Sequence, residues 1–568
     1  MAKVNLLVEG KIEGVILGAA VGDALGWPQE DRARRSSEIN GHIGHFEAWK
    51  KRSGGRFHPH EETIDSGSYS DDTQLIIAVA RSRLRDDTWW EYLARVEFPF
   101  WTSYHRGAGG ASLRAANLLS KRILPWESAP LDKRKYLDAG GNGVAMRVAP
   151  HCILGSIDES FSSVASNVMA DGVVTHGHPT ALVGALAYAY ALWRVLRRTN
   201  ILEYGELLED VRSSSMEWAS IPSISEKWPT WEREVLTTEY RDTWSRSVKD
   251  IGGRLGIAAE GLVKGALDFD DEVLHGIGCF DKRVSGAGTV AAAAAIFLGS
   301  KYAVSPMESV AKAASAKGTD TDTIASMTGA IAGAINGVDW TAHLAAQLQD
   351  HLFLRNLAHE LRNALRGKQG AYPIVTTEVR PLLTSLVRGE RSVLLPIGTN
   401  ARIIGDGGVV SKSRRLKVVS WKLEDERGQT FFIKKFGKPT KQETSEDQEK
   451  FNLDAPGRRH AKFAGISLFA RDLKESRHFY CDLLGLPIKR DTENLVALGE
   501  HLVLRQNDYV RATGEGSIVY VDVDNIKQCW QNLLPLRYAH VSSIETRSSR
   551  ASFSCKDPDG RVVEVFQR

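Results

Sequence analysis

Apolar side chains recur with helical spacing through most of the first 367 residues of this 568-residue chain, and alanine and glycine are abundant among them. This spacing indicates helices that bury one face. Small side chains let such helices approach closely, which favours a bundle over an alternating α/β sheet. The pattern predicts a compact all-α bundle, with helices near residues 71–84, 162–169, 179–196, 286–298, 305–316 and 323–336.

The length predicts several domains, because one hydrophobic core rarely grows beyond about 250–300 residues. The net charge of +3 indicates no general attraction to nucleic acid or membranes. The five cysteines are scattered and form no Cys-x-x-Cys pair, as in proteins of reducing compartments. No apolar run reaches the roughly 20 residues that a membrane helix needs. These features predict a cytoplasmic protein without a membrane partner.

Two short acidic clusters stand before apolar runs, at residues 70–73 (Ser-Asp-Asp-Thr) and residues 319–323 (Thr-Asp-Thr-Asp-Thr). Such clusters are typical helix caps, because Ser, Thr and Asp satisfy the free backbone N–H groups of a helix start. Oxygen-only ligand sets also suit hard cations such as Mg²⁺, Mn²⁺ and Ca²⁺. If the two clusters meet in space, they form a carboxylate-lined metal site.

A third element lies near the N-terminus. Residues 14–26 form a small-residue run that we expect to be a helix ending in Gly-Asp-Ala-Leu-Gly, and Glu30 follows seven residues after Asp23. Helix capping does not require this arrangement. The presence of this third element therefore favours the metal-site interpretation of the two acidic clusters.

Five motifs in this order resemble the ADP-ribosylglycohydrolase family, which includes dinitrogenase reductase-activating glycohydrolase and the ADP-ribosylarginine and ADP-ribosylserine hydrolases. They are residues 22–26 with Glu30, residues 70–73, residues 141–147 (Gly-Asn-Gly-Val-Ala-Met-Arg), Thr175-His176, and residues 318–323. The resemblance spans about residues 10–345. It implies an enzyme that cleaves the glycosidic bond between ADP-ribose and a modified acceptor.

The resemblance also implies a metal site with two Mg²⁺ ions, for which Mn²⁺ is a possible substitute. We expect Asp320 and Asp322 to lie in an extended loop and to point the same way, because they are two positions apart. The first acidic cluster would complete the oxygen shell. The predicted metal ligands are Ser70, Asp71, Asp72, Asp320, Asp322 and Thr323.

Glu30 matches the catalytic glutamate position of the family. Cleavage of a ribose bond passes through an oxocarbenium-like state, and a carboxylate manages the accompanying proton. We expect Glu30 to have this role, with Asp71 and Asp322 as further catalytic residues. The alternative is that Glu30 is a surface residue within the charged run 30–34.

Glycine turns allow a backbone to come close to a ligand, so residues 107–110 and 141–143 are candidates for phosphate or ribose contacts. By resemblance, His176 lies beside the ribose or the phosphates; otherwise it is a packed or helix-capping histidine. The predicted substrate-binding residues are Asp23, Gly109, Asn142, Gly143, Met146 and His176.

The remainder of the chain contains several different segments. Residues 200–250 are polar and tryptophan-rich, and we expect an insertion on the bundle surface or a lid near the pocket. Residues 371–437 are predicted to form a small β-rich module. The module is locally basic, and its basic side chains form either a solvated face or a docking face for an anionic partner. Residues 438–459 read as a flexible linker.

Residues 460–568 resemble the vicinal oxygen chelate superfamily of glyoxalases and bleomycin-resistance proteins, with an α+β module of paired βαββ(β) repeats. Metal-using members usually present a His at the start of each repeat, where this chain has Gly465 and Ser517 or Ile518. Only Glu564 matches a usual ligand, and His501 is a weak candidate on a neighbouring strand. We therefore expect a non-catalytic module that binds a ligand or mediates self-association.

The sequence thus predicts a multi-domain, Mg²⁺-dependent hydrolase that reverses ADP-ribosylation. The partner would be an ADP-ribosylated protein or another ADP-ribosylated acceptor, with arginine as the first choice and nucleic acid possible but unsupported. Two alternatives stay open. One is a non-catalytic protein that binds ADP-ribose or a nucleotide, and the other is a C-terminal module active in dicarbonyl detoxification or drug binding.

Overall fold

The computed structural model describes residues 2–33, 44–53, 60–85, 88–264, 270–367, 379–412, 417–437, 466–470, 472–492, 495–498, 502–506, 518–523, 525–547, 550–558 and 562–567. The chain divides into two compact units, residues 1–447 and residues 448–568.

The first unit is mostly helical, which confirms the predicted bundle. Its helices are α1 Ala2–Ala33, α2 Asp71–Arg83, α3 Trp89–Tyr92, α4 Phe98–Trp101, α5 Gly110–Leu119, α6 Pro130–Leu137, α7 Ala149–Leu154, α8 Ser162–Gly172, α9 Pro179–Arg197, α10 Glu206–Ser213, α11 Ser215–Trp218, α12 Pro229–Val235, α13 Thr238–Val263, α14 Asp270–Ile277, α15 Gly288–Lys301, α16 Pro306–Ser315, α17 Thr321–Asn336, α18 Ala342–Ala345, α19 His351–Leu365 and α20 Arg380–Arg388. Its strands are β1 Trp49–Ser53, β2 His60–Ile64, β3 Ser392–Leu394, β4 Asn400–Lys412, β5 Lys417–Asp425 and β6 Thr430–Gly437.

The centre of the bundle is formed by α9, α15 and α17, whose residues are almost all buried. Among the described residues, α9 alone is long and apolar enough to cross a membrane. However, 89% of its most apolar window lies inside the bundle, as expected for the core helix of a globular fold.

Helices α1 and α17 are in backbone contact along a stripe of glycines. A Cβ atom on Gly18 would collide with the carbonyl oxygen of Gly329, and one on Gly22 with that of Ala325. One turn further along α1, a Cβ atom on Gly26 would collide with the carbonyl oxygen of Thr321. Only glycine permits so close an approach. The contact holds the C-terminal half of α1 beside the start of α17.

The prediction that the first helix ends at Gly26 is wrong. Helix α1 continues through Pro28 to Ala33. Gly26 and Pro28 are local signals for a helix end, but Gly26 is required here for the contact with α17, and Thr321 donates a hydrogen bond of 2.8 Å from its Oγ1 to the Gly26 carbonyl. Tertiary packing therefore overrides the local signal, and Glu30 lies in the last turns of the helix.

The tryptophan-rich stretch near residues 200–250 packs against the bundle. Trp218, Trp228, Trp231 and Trp244 are buried. The indole of Trp228 donates a hydrogen bond to the Ala170 carbonyl at 2.9 Å. No residue of the stretch lines the large cavity described below. Its role as an insertion or a lid stays a prediction.

Strands β3–β6 form an antiparallel sheet in the order β3-β4-β5-β6. Its apolar side chains belong to the same hydrophobic core as the helices. Phe431 of β6 packs on Phe100 of α4 with ring centroids 5.4 Å apart. Helix α20 follows residue 371, and the sheet lies in the same compact unit as the bundle. The division predicted at residue 371 stays a prediction. Most of the predicted basic run 412–417 lies outside the described residues.

The second unit contains two four-stranded sheets, each with one helix, which confirms the predicted paired repeats. The sheet orders are β7-β10-β9-β8 and β11-β14-β13-β12. The elements are β7 Ile466–Ala470, α21 Leu473–Arg477, β8 Ile488–Thr492, β9 Leu495–Leu498, β10 Leu502–Gln506, β11 Ile518–Asp522, α22 Ile526–Leu533, β12 Glu545–Arg547, β13 Arg550–Lys556 and β14 Val562–Gln567.

The ligand positions considered for this unit are only partly described. Gly465, His501 and Ser517 lie outside the described residues, and so does the side chain of Ile518. Glu564 lies half-buried on β14.

Candidate active site

The two acidic clusters, far apart in the sequence, line one cavity of the first unit. Residues 70–73 lie at the start of α2, and residues 320–323 lie at the start of α17. The cavity has a volume of about 980 Å³. Its lining includes Glu30, Asp71, Asp72, Asp320, Asp322 and Thr323. The structure therefore brings together the carboxylates that the sequence identified.

The expected extended loop at Asp320 and Asp322 is wrong. Asp320 directly precedes α17, and Asp322 lies in the first turn of that helix. Both carboxylates still reach the cavity, because the helix begins at its wall.

Asp23 holds the start of α2 and does not line the cavity. Its carboxylate is fully buried. It accepts hydrogen bonds from the Ser70 N–H at 3.0 Å, the Thr73 N–H at 3.0 Å and the Thr73 hydroxyl at 2.6 Å. Asp23 thus positions the start of α2 through these hydrogen bonds. Its predicted contact with substrate stays a prediction.

Ser70 is the N-cap of α2. Its Oγ accepts a hydrogen bond from the Asp72 N–H at 3.2 Å, and the side chain is buried outside the cavity lining. The helix-cap interpretation therefore holds for this residue. Its role as a metal ligand stays a prediction.

Burial and mutual repulsion dominate the electrostatics of the acidic cluster. Burial raises the pKa of Asp71 to about 7, although the nearby Lys51 opposes the shift. Burial, followed by the charges of Asp23, Asp71 and Asp320, raises the pKa of Asp72. The pKa of Asp322 is raised by burial and then by Glu30, Asp320 and Asp72.

A cation would relieve this crowding, because it favours the ionised form of every carboxylate around it. The Oδ2 atom of Asp72 is buried and has no hydrogen-bond partner in the part of the chain that the structure describes, which leaves one oxygen available for a ligand. Among the described residues, no three acidic, imidazole or thiol side chains already converge at coordinating distance. The all-oxygen donor set nevertheless fits a hard divalent cation.

The opposite wall of the cavity is formed by the segment after residue 140 and by His176. Asn142 donates a hydrogen bond from its Nδ2 to Asp320 Oδ2 at 3.0 Å, which ties this wall to the acidic cluster. Gly143 and Met146 line the cavity next to it. A Cβ atom on Gly143 would lie 3.0 Å from the His176 ring, so the two residues pack closely.

A buried hydrogen-bond network fixes the orientation of His176. Arg147 donates to Thr175 Oγ1 at 2.8 Å, and Thr175 Oγ1 lies 2.8 Å from His176 Nδ1. Burial lowers the pKa of His176 to about 3, so the ring is neutral at pH 7. Because Arg147 can only donate, the Thr175 hydroxyl accepts from it and donates either to His176 Nδ1 or to the Gly172 carbonyl, 3.5 Å away.

The loop before α5 forms the third side of the cavity. Residues 107–112, including Gly109, line it. Gly107 has a positive φ of 95°, and a Cβ atom there would lie 2.8 Å from Asp71 Oδ1. The α5 N-terminus, preceded by Gly109, offers free backbone N–H groups near the acidic cluster.

Sequence reasoning missed a group of basic and aromatic residues at the same cavity. They come from α1, the β1–β2 hairpin, the loop after α4, and β6; the residues are Trp27, Trp49, Lys51, His105, Arg106 and Lys434, and the acidic Glu62 lies among them. No local motif marks them, because they are brought together only by tertiary packing.

Comparison with known proteins places this site in a family. The family model of ADP-ribosylglycohydrolase matches residues 5–371. The glyoxalase/bleomycin resistance protein/dioxygenase superfamily matches residues 462–565.

Among curated proteins, an uncharacterized protein of Archaeoglobus fulgidus is 27% identical over 215 residues, which cover 36% of this chain. The match spans 61% of that relative's length. Among solved structures, an ADP-ribosylglycohydrolase-related protein complex is 19% identical, with a TM-score of 0.41. The match covers 63% of this chain and 98% of that protein's chain. A bleomycin resistance determinant encoded on the transposon Tn5 is 17% identical with a TM-score of 0.17, and covers 19% of this chain and 98% of its own.

The glyoxalase-like match is confined to the second unit, whereas the first family model covers well over half of the chain and includes every carboxylate of the cavity. The protein is therefore a member of the ADP-ribosylglycohydrolase family.

Proposed function

We propose that this protein is an Mg²⁺-dependent hydrolase that releases ADP-ribose from a modified acceptor. Its family supports a hydrolase that reverses ADP-ribosylation, and the family is metal-dependent in general. The observation that carries the proposal is the convergence of carboxylates from α1, α2 and α17 on one cavity. Among them is a buried Asp72 oxygen to which no described residue donates a hydrogen bond.

Two Mg²⁺ ions, or Mn²⁺ in their place, would be held by oxygen ligands at the starts of α2 and α17. The proposed ligands are Ser70, Asp71, Asp72, Asp320, Asp322 and Thr323. When bound, the ions supply positive charge that offsets the carboxylates and fixes the ribose oxygens.

Glu30 is the proposed proton-transferring group. It lines the cavity, and its charge contributes to the raised pKa of both Asp71 and Asp322, so it lies near both clusters. A carboxylate in this place can accept a proton from the attacking water and return it to the leaving acceptor. The negative charge around it also stabilises the positive charge that develops on the ribose ring.

We propose that the other walls of the cavity bind the ADP-ribose part of the substrate. The neutral His176 ring offers a hydrogen-bonding nitrogen, and the backbone at Gly143, close to Met146, lets a ligand approach closely. The N–H groups after Gly109 suit a phosphate. Asn142 has a positioning role as well, because its amide is hydrogen-bonded to Asp320.

We also propose an acceptor for the reaction, a cellular location and a role for the second unit. Arginine-linked ADP-ribose on a protein is the first substrate to test, because the Ser-Asp-Asp-Thr cluster resembles the arginine-specific branch of the family. A cytoplasmic location is proposed from the five free cysteines. For the second unit we propose a non-catalytic role in ligand binding or self-association, since Glu564 is the only residue that matches a usual ligand.

The test compares wild type with Asp322→Ala on arginine-, serine- and nucleic-acid-linked ADP-ribose, with and without Mg²⁺. We expect wild type to release ADP-ribose only with Mg²⁺, and the variant to lose at least about 100-fold in kcat/KM, because it lacks a predicted ligand. Release at equal rates by both proteins would remove the metal from the mechanism.

A further inference from the structure

Part of the cavity wall is formed by a residue outside the region that the family model matches. The match ends at residue 371, whereas Lys434 of β6 lines the cavity. The Lys434 N–H donates a hydrogen bond of 3.0 Å to the Ser103 carbonyl, next to the loop that leads into α5. The sheet β3–β6 is thereby attached directly to the rim of the candidate active site.

Lys434 belongs to a compact cluster of three cations, Lys51, Arg106 and Lys434, around the carboxylate of Glu62. Glu62 forms ion pairs with Lys434 and with Arg106, the latter at 3.3 Å. The Lys51 Nζ lies 4.5 Å from the Trp27 ring centroid, and the Arg106 guanidinium lies 5.5 Å from the same ring. Glu62 therefore pairs with two of the three cations, whereas Lys51 also faces the carboxylates of the acidic cluster, foremost Asp71.

Arg106 shows that this cluster needs a further partner. Its side chain is 3% exposed, and its Cζ lies 3.9 Å from the Phe432 ring centroid on β6. Its Nη1 atom has no hydrogen-bond partner among the described residues. A buried guanidinium with an unsatisfied N–H group is costly unless a ligand accepts from it. Phosphate is the ligand that best fits the planar fork of arginine.

We propose that Lys51, Arg106 and Lys434 form a subsite for a phosphate group of the substrate, and that the sheet β3–β6 is part of the substrate-binding surface. This inference rests on the proposed function. The phosphate has two possible sources, the diphosphate of ADP-ribose itself and a phosphate on the acceptor side. In the second case the same cations would repel an arginine side chain and favour a phosphate-linked acceptor.

The test uses Lys434→Gln in the full-length protein, with Lys435→Gln as the matched control. Lys435 has the same charge on the same strand, but neighbouring residues of a strand point to opposite faces, and it does not line the cavity. Binding of free ADP-ribose is measured by calorimetry with Mg²⁺ at low and at physiological salt. The KM is then measured for a serine-linked peptide and for a phosphate-linked nucleic acid.

If the diphosphate occupies the subsite, Lys434→Gln weakens ADP-ribose binding about fivefold or more and reduces its salt dependence. If an acceptor phosphate occupies it, ADP-ribose binding is unchanged and the KM rises only for the phosphate-linked substrate. Arg106→Lys, which keeps the charge but loses the fork, should weaken the same interaction.

Identical behaviour of wild type and Lys434→Gln in both assays would overturn the subsite while leaving the proposed function intact. A wild-type protein that neither binds ADP-ribose nor releases it would overturn both. Circular dichroism and thermal unfolding of each variant show whether a loss of binding reflects a loss of fold.

Discussion

The carboxyl groups of Asp71, Asp72 and Asp322 determine how the site responds to pH. Their pKa values are raised in the folded protein, with burial as the largest cause, and that of Asp71 reaches about 7. In the unfolded chain an Asp titrates near pH 4. Between these values the folded state holds more protons than the unfolded state. The free energy of unfolding therefore falls as the pH rises from about 4 to about 7.

The metal-free protein should therefore be less stable at pH 8 than at pH 5, by several degrees in Tm. Mg²⁺ should remove most of the difference, because it binds the ionised carboxylates and stabilises the folded state. Thermal unfolding at pH 5, 6, 7 and 8, with and without Mg²⁺, measures both effects. Asp71→Asn should flatten the metal-free pH profile, and a profile that rises with pH in the absence of metal would refute the explanation.

The hydrogen bond between Thr175 and His176 provides a second prediction at this scale. Thr175→Val removes the hydroxyl that fixes the His176 ring and leaves one donor of the buried Arg147 without its partner. We expect ADP-ribose binding to weaken about tenfold, and stability to fall by about 1–3 kcal/mol. Thr175→Ser keeps the hydroxyl and serves as the control. Equal binding by the Val and Ser variants would show that the network does not orient the ring.

At the scale of elements, the packing of α1 on α17 holds the site together. It places Glu30 and the start of α2, through Asp23, beside Asp322. Gly22 is the critical contact, since the carbonyl of Ala325 occupies the space that a Cβ atom would need. The two helices cannot separate without moving the acidic residues at their ends.

Gly22→Ala should therefore lower stability by about 2–4 kcal/mol and reduce activity, because the helices must move apart. Gly253→Ala on α13, where no atom lies within 4 Å of the added Cβ, should be neutral or stabilising by up to about 1 kcal/mol. Chemical unfolding of the two variants gives the comparison. Similar stabilities for both would mean that α1 and α17 are not closely packed.

Helices α1 and α17 show which parts of the structure could be predicted from the sequence alone. The helix predicted for residues 323–336 exists as α17, because apolar periodicity reports the buried face of a helix directly. The continuation of α1 past Gly26 and Pro28 was missed, since it depends on a contact with a helix about 300 residues away. The helical position of Asp322 was likewise not predictable from the sequence, because it depends on the same contact between α1 and α17.

At the scale of the whole molecule, the first unit is larger than the family match. The sheet β3–β6 shares the hydrophobic core of the helices and adds Lys434 to the cavity. The acidic residues of the site were recognisable because they lie in motifs. Lys51, Arg106 and Lys434 were not, because they come from three separate elements and form a cluster only in the folded protein.

The central claim is that two distant acidic clusters hold divalent cations in one cavity. A crystal structure of the protein soaked with Mn²⁺ and ADP-ribose, with the ions located by anomalous scattering, tests it most directly. We predict two Mn²⁺ ions between the starts of α2 and α17, within coordinating distance of Asp72 and Asp322. Ordered ADP-ribose with no ion at these carboxylates, or ions bound only elsewhere, would contradict the account.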